Sequence, residues 1–183
     1  MIYLYNDLRK KGLSDYQIKK GLANKEFYMI KKGAYSTTEN YNYLEYIAKK
    51  HPNAVVTLFT ACHCYGLYDQ KEEKYYITTK QKDRKINDDK INQTFMTDRL
   101  YKIGISKITY QGFNILIYDL ERLLIEIVRN KTNIEYDIYH NIINNYQKIS
   151  KLLNKKKLQD YIIEFKDPKI KYRIEKEVFK NLT

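Results

Sequence analysis

The side chains equipped for chemistry are few, and their spacing narrows what they can do. Cys62-His63-Cys64 is the densest group of metal-ligating types. Zinc, however, takes four ligands, ordinarily from two separated pairs, and His51 and His140 stand in no ligand spacing to the group. On a helix the two cysteines would lie about 200° apart and could not face one ion. Adjacent helical residues also point apart, so Cys62 and His63 make a poor nucleophile–base pair. Cys62 therefore reads as a small packing residue, and no metal is expected. Phosphate-cleaving chemistry would need clustered carboxylates and a lysine around Mg²⁺. Close acidic sets include Asp88-Asp89-Lys90, within a polar loop-like stretch, and Asp119-Leu120-Glu121, where Asp119 reads as a helix cap. Walker A, G-x-G-x-x-G and G-x-S-x-G patterns do not occur. Neither an enzyme nor a cofactor is expected.

A second set of residues suits binding. Ser14 and Gln17 form an S-x-x-Q capping box, in which hydroxyl and amide satisfy orphan N–H groups reciprocally. Leu13 and Ile18 can close over it as a hydrophobic staple. The helix they start would run over 14–23, burying Ile18 and Leu22 and leaving Asp15, Tyr16, Lys19 and Lys20 largely on the other face. Tyr16 falls in the first turn, where a recognition helix meets base edges; its other role would be to pack on the preceding helix. Lys19, Lys20, Lys31 and Lys32 either neutralise phosphates or form an ordinary solvated surface. Ser14, Tyr16, Gln17, Lys19, Lys20, Lys31 and Lys32 are the candidate DNA-binding residues.

The positioning elements can be read in order. Tyr3 to Lys11 is a short helical candidate ended by Gly12. Phe27 to Ile30 and Ala34 to Ser36 are β-prone runs around a Lys31-Lys32-Gly33 hairpin loop. Ser36 and Glu39 suggest a second capping box opening a helix to about Lys50. Val55, Leu58, Phe59 and Cys62 recur at helical spacing up to Gly66, although Val55-Val56-Thr57 alone would suit a strand. Strand character returns at 75–79, 103–110 and 113–118, with Gln111-Gly112 as a hairpin turn and 81–93 as a mobile polar loop. Leu120, Leu123, Leu124, Ile127 and Val128 then form one apolar helical stripe, and helical periodicity continues from Ile138 to Val178.

With 43% hydrophobic and 31% charged residues, collagenous and wholly disordered classes are excluded. No run of about 18 apolar residues exists to span a membrane as a helix. The opening residues lack a signal-peptide pattern, and two close cysteines suit a reducing compartment, so a cytoplasmic location is expected. The net charge is +12, with 28 Lys against 6 Arg, a bias that an AT-rich coding sequence would also produce. Its distribution is more telling. Residues 1–38 carry 8 basic against 3 acidic side chains, 39–146 carry 15 against 14, and 147–183 carry 11 against 5. Two basic ends around a near-neutral middle point toward nucleic acid. The 20 tyrosines mostly supply core volume in a chain without Trp.

The segment Leu13-Ser-Asp-Tyr-Gln-Ile-Lys-Lys-Gly-Leu22, with Phe27 to Tyr35 ending Ile-Lys-Lys-Gly-Ala-Tyr, resembles the winged helix-turn-helix of AbiEi-type antitoxins. That family belongs to type IV abortive-infection toxin–antitoxin systems of bacteria, which act in phage defence. His63-Cys-Tyr-Gly66-Leu67, Tyr75-Tyr-Ile-Thr-Thr79 and Tyr118-Asp-Leu-Glu-Arg122 are similar to later family features in the same order. The chain departs from the pattern at Glu26, where a glycine commonly opens the wing, and begins too near the turn for a full first helix. The resemblance implies an α+β protein: a winged helix-turn-helix over 1–38, and over 39–183 a mixed α/β domain ending in helices. It also implies a repressor of its own operon that binds inverted repeats in duplex DNA, and an antitoxin that neutralises a nucleotidyltransferase-like toxin without a stable complex. A plain transcriptional regulator and a metal-dependent nuclease are the competing readings.

Overall fold

The computed structural model describes residues 1–70 and 73–179, an α+β chain that divides into two compact units. Unit 1 comprises Met1–Asn53 with Gly112–Asn114, and unit 2 the remainder.

Unit 1 opens on a strand, β1 (Ile2–Leu4), where helical spacing had suggested a helix from Tyr3. Ile2 is fully buried, and Ile2, Tyr3 and Leu4 pair antiparallel with Ser36, Tyr35 and Ala34, which gives these residues a sheet partner that spacing does not reveal. Helix α1 (Tyr5–Lys10) follows, then α2 (Asp15–Ala23), β2 (Tyr28–Lys31) and β3 (Ala34–Ser36). The sheet order is β1-β3-β2, with β3 in the middle. Leu8, Ile18 and Tyr35 form the core, with Leu13, Leu22 and Phe27 packed against it. Gly21 lets α2 approach closely, because a Cβ there would stand 2.7 Å from the Phe27 ring.

The expected capping box at Ser36 does not form. Ser36 is a buried residue of β3, paired on both sides, and helix α3 (Tyr43–Lys50) starts later on an Asn42 cap whose Oδ1 accepts from Leu44 N–H at 2.9 Å. Its inner face buries Tyr43, Leu44, Tyr46 and Ile47. The Ile2 N–H donates to Glu45 at 3.0 Å and Lys49 donates to the Ile2 carbonyl, which ties α3 to β1.

Unit 2 is built on a five-stranded sheet of order β6-β5-β4-β8-β7. Its central strand, β4 (Val55–Val56), corrects the helix expected there. Both valines are buried, paired antiparallel with β5 (Tyr75–Lys80) and parallel with β8 (Phe113–Tyr118), so the β-branched pair fills the sheet interior. The helix, α4 (Leu58–Cys64), begins only after Thr57. Strand β6 (Ile91–Met96) pairs parallel with β5, so its first three residues correct the end of the loop expected over 81–93. The polar segment before it is held down by Gln93, whose amide donates to Thr79 at 2.7 Å and accepts from Ile86 N–H at 2.7 Å. After the short α5 (Asp98–Lys102), β7 (Ile105–Tyr110) joins β8 through Gln111 and Gly112, both at positive φ, a type I′ hairpin turn.

The C-terminal helices are α6 (Leu120–Arg129), α7 (Tyr136–Lys148), α8 (Lys155–Phe165) and α9 (Pro168–Glu177). α6 is buried on every side from Glu121 to Val128, since α4, α8 and α9 pack around it. The stripe expected to face one core is thus the centre of a helical layer, and Glu121, Arg122 and Glu126 are buried with it. Among the described residues no helix is long and apolar enough to cross a membrane. The basic C-terminal segment continues past the described residues.

Candidate nucleic-acid interface

The candidate residues of unit 1 sit on α2 and the β2–β3 hairpin. Ser14 is the N-cap, its Oγ accepting from Gln17 N–H at 3.2 Å, while Gln17 Oε1 accepts from Ser14 N–H at 2.7 Å. The box therefore forms as the residue types require, and it occupies part of the polar capacity of both side chains. Tyr16 does not pack on α1; it is 74% exposed. Lys19 and Lys20 are exposed on the same helix, whose other side buries Ile18 and Gly21. Lys31 ends β2 and is half-buried, and Lys32 stands exposed at the turn.

Charged side chains on and beside α2 are partly paired with one another. Asp15, the acidic residue of its first turn, accepts from the Tyr5 hydroxyl at 2.6 Å and faces Arg9 at 3.6 Å, so its charge is countered. That hydrogen bond also holds the Tyr5 hydroxyl above its ordinary pKa. Lys11 and Lys49 are committed elsewhere: Lys11 donates to the Tyr3 hydroxyl at 2.7 Å, and both ammonium groups lie over the Tyr3 ring. The cations left on α2 are Lys19 and Lys20. The sequence signal for the pairing of Asp15 is Arg9, six residues before it on the preceding helix.

Unit 2 contributes a second polar centre. Asp119 caps α6, its Oδ1 accepting from Arg122 N–H at 2.9 Å, as expected of its position. Its Oδ2 meets Lys157 Nζ at 3.0 Å and the Tyr161 hydroxyl at 3.1 Å. Glu121 meets the same ammonium at 3.3 Å and accepts from Asn154 N–H at 2.8 Å. Burial opposes the Lys157 charge, but the hydrogen bond and charge of Asp119, and then Glu121, hold its pKa above the ordinary lysine value. Two carboxylates and a lysine thus converge from α6 and α8, a meeting that nothing in their sequence separation announces. Among the described residues no three His, Cys, Asp or Glu side chains are grouped to hold a metal ion.

The cysteines lie on α4 as free thiols, Cys62 buried and Cys64 half-buried. Burial pushes the Cys64 thiol up to about 12, and raises Cys62 as well, so neither is a thiolate near neutral pH. His63 is exposed, and Gly66 turns the chain at the end of the helix with φ +69°. Against models of known protein families and against curated proteins, the chain finds no match.

Proposed function

We propose that this protein binds duplex DNA through unit 1, represses its own operon, and acts as the antitoxin of a type IV toxin–antitoxin pair. The observation that carries the DNA reading is the face of α2, where Tyr16, Lys19 and Lys20 stand exposed on a capped helix whose acidic first-turn residue is already paired. The surrounding plan supports it. Two helices joined through Gly12 lie between β1 and a lysine-tipped hairpin, in a β1-β3-β2 sheet, an order compatible with the winged helix-turn-helix that the resemblance implies. The antitoxin half rests on the resemblance of the later segments.

The test is a titration of labelled duplex DNA with full-length protein across a range of salt concentrations. Affinity should fall steeply with salt, and Lys19→Ala with Lys20→Ala should lower the slope by roughly one unit per lost phosphate contact. An unchanged slope in a folded variant removes α2 from the interface. For the second half, co-expression with the nucleotidyltransferase-like toxin should relieve growth arrest. A second reading, a metal-dependent nuclease, would need the Asp119 and Glu121 carboxylates, which hold the Lys157 ammonium between them, to take Mg²⁺ in its place. Mg²⁺-dependent cleavage of plasmid, lost in Asp119→Asn, would establish that reading instead.

A further inference from the structure

We infer that the cleft between α8 and α9 docks a short acidic helix of a partner protein, seated by one apolar side chain; the inference stands apart from the DNA-binding reading above. The two helices run antiparallel, with Lys155 at the start of α8 placed 5.1 Å over the Phe179 ring beyond the end of α9. The cleft measures about 220 Å³, and Leu158, Ile162, Ile174 and Phe179 supply its apolar lining. Small-molecule pockets run to roughly 300–1,000 Å³, so this one suits one or two side chains better than a cofactor. Ile163 and Tyr172, each adjacent in sequence to a lining residue, are 69% and 63% exposed and extend the apolar surface.

The charge around the cleft selects the occupant. Lys155 and Lys171 line it, with one carboxylate, Glu175, 3.9 Å from Lys171. Residues 147–183 carry 11 basic against 5 acidic side chains, and two of those acids are spent on cations of other elements, Glu164 on Arg99 and Glu177 on Lys131. The first turn of α8 is Lys155-Lys156-Lys157 and holds no acid, although the positive end of a helix dipole favours a carboxylate there. Lys157 is met by Asp119 and Glu121, but no carboxylate meets Lys155 or Lys156 among the described residues. A positive rim over an apolar floor complements an acidic amphipathic segment. Nucleic acid fits less well, since phosphates gain nothing from four apolar side chains and would meet Glu175.

The hairpin also sets a spacing. Counting back through the connection at Lys166 and Asp167 puts Lys171 level with Ile162, two helical turns from Lys155, or about 10 Å. A docked helix meets both ammonium groups with acidic residues seven apart. Its apolar anchor, three or four residues after the first of them, then enters the lining.

The experiment selects displayed random peptides of about four helical turns on full-length wild type and on Lys155→Glu with Lys171→Glu, with circular dichroism to verify folding. Both lysines are exposed and lie toward the N-terminal ends of their helices, so the reversed charges suit the dipoles and the variant should fold. The expected result is a wild-type consensus of one apolar residue between acidic residues seven apart, and basic residues in their place with the variant. A synthetic copy should bind wild type about tenfold more weakly when its apolar residue becomes Ala, or when Gln159→Trp fills the cleft from its wall. A consensus without acidic residues, one that the charge-reversed variant still selects, or no enrichment by wild type overturns the inference. Displacement of the selected peptide by myristate or by duplex DNA would assign the cleft to a lipid or a nucleic acid instead, and a dimer abolished by the charge reversal would assign it to a second copy.

Discussion

Arg122 is fully buried, an unusual place for a guanidinium. It lies between the Tyr118 ring at 4.5 Å and the Phe165 ring at 4.3 Å, with Glu126 at 2.8 Å one turn along α6. Gly104 makes room for it, since a Cβ there would stand 2.4 Å from Arg122 Cβ. Removing Arg122 leaves the buried Glu126 carboxylate with Arg129 alone, at 3.3 Å, and empties the space between the two rings. Arg122→Ala should therefore cost about 3–5 kcal/mol in urea unfolding, whereas Arg122→Met together with Glu126→Leu should cost far less. Glu177 offers a pH test at the same scale. Burial opposes its charge, but hydrogen bonds from Lys131 at 2.8 Å and Tyr139 at 2.6 Å, with the Lys131 charge, hold its pKa below the ordinary 4.5. A depressed folded-state pKa contributes stability that is present above 4.5 and lost as pH falls through the lower folded value. Glu177→Gln should be less stable than wild type at neutral pH, and the gap should narrow in acid, as thermal midpoints measured from pH 7 to pH 3 would show.

Among the elements, the β7–β8 turn invites a simple improvement. Gln111 sits at φ +46°, a conformation disfavoured for side chains other than Asn, Asp or Gly. Gln111→Asn should stabilise the hairpin by about 0.5–1 kcal/mol and raise the thermal midpoint by a few degrees. This turn was legible beforehand because Gly112 stands between two strand-like runs, and the α2 box was legible because capping depends on four consecutive residues. β1 and β4 were not, for a different reason: three and two residues carry no period, and only distant partners make them strands. β6 hid behind polar residues because it lies at the sheet edge with one side unpaired. At the candidate interface, the exposure of Tyr16, Lys19 and Lys20 follows from helical phase, which local spacing shows. The pairing of Asp15, and the arrival of Lys157 between Asp119 and Glu121, depend on tertiary approach, which it does not.

At the scale of the whole molecule, the division into units predicts where the chain can be cut. A fragment beginning at Ala54 leaves out all of unit 1 except Gly112–Asn114, whereas one beginning at Glu39 retains α3 without the β1 strand to which it is tied. Tyr43, Leu44, Tyr46 and Ile47 would then lose their cover. The shorter fragment should unfold cooperatively and run as a single species in gel filtration, while the longer one should bind apolar dyes and aggregate. Under the proposed function, the fragment from Ala54 should still relieve toxin arrest and fail to repress the promoter, which reporter and growth assays would measure together.

The sheet of unit 2 also has a history imposed by the direction of synthesis. Val55 and Val56 take β8 as their parallel neighbour about 60 residues further along the chain. A ribosome adding about 5–20 residues per second needs roughly 3–12 seconds to cover that interval. During it the central strand has emerged with one flank still open, exposing two β-branched residues and an unpaired backbone edge to any other nascent strand nearby. Translation speed between codons 57 and 118 thus becomes a property of the fold, and slow codons there would lengthen the period in which the chain depends on a chaperone.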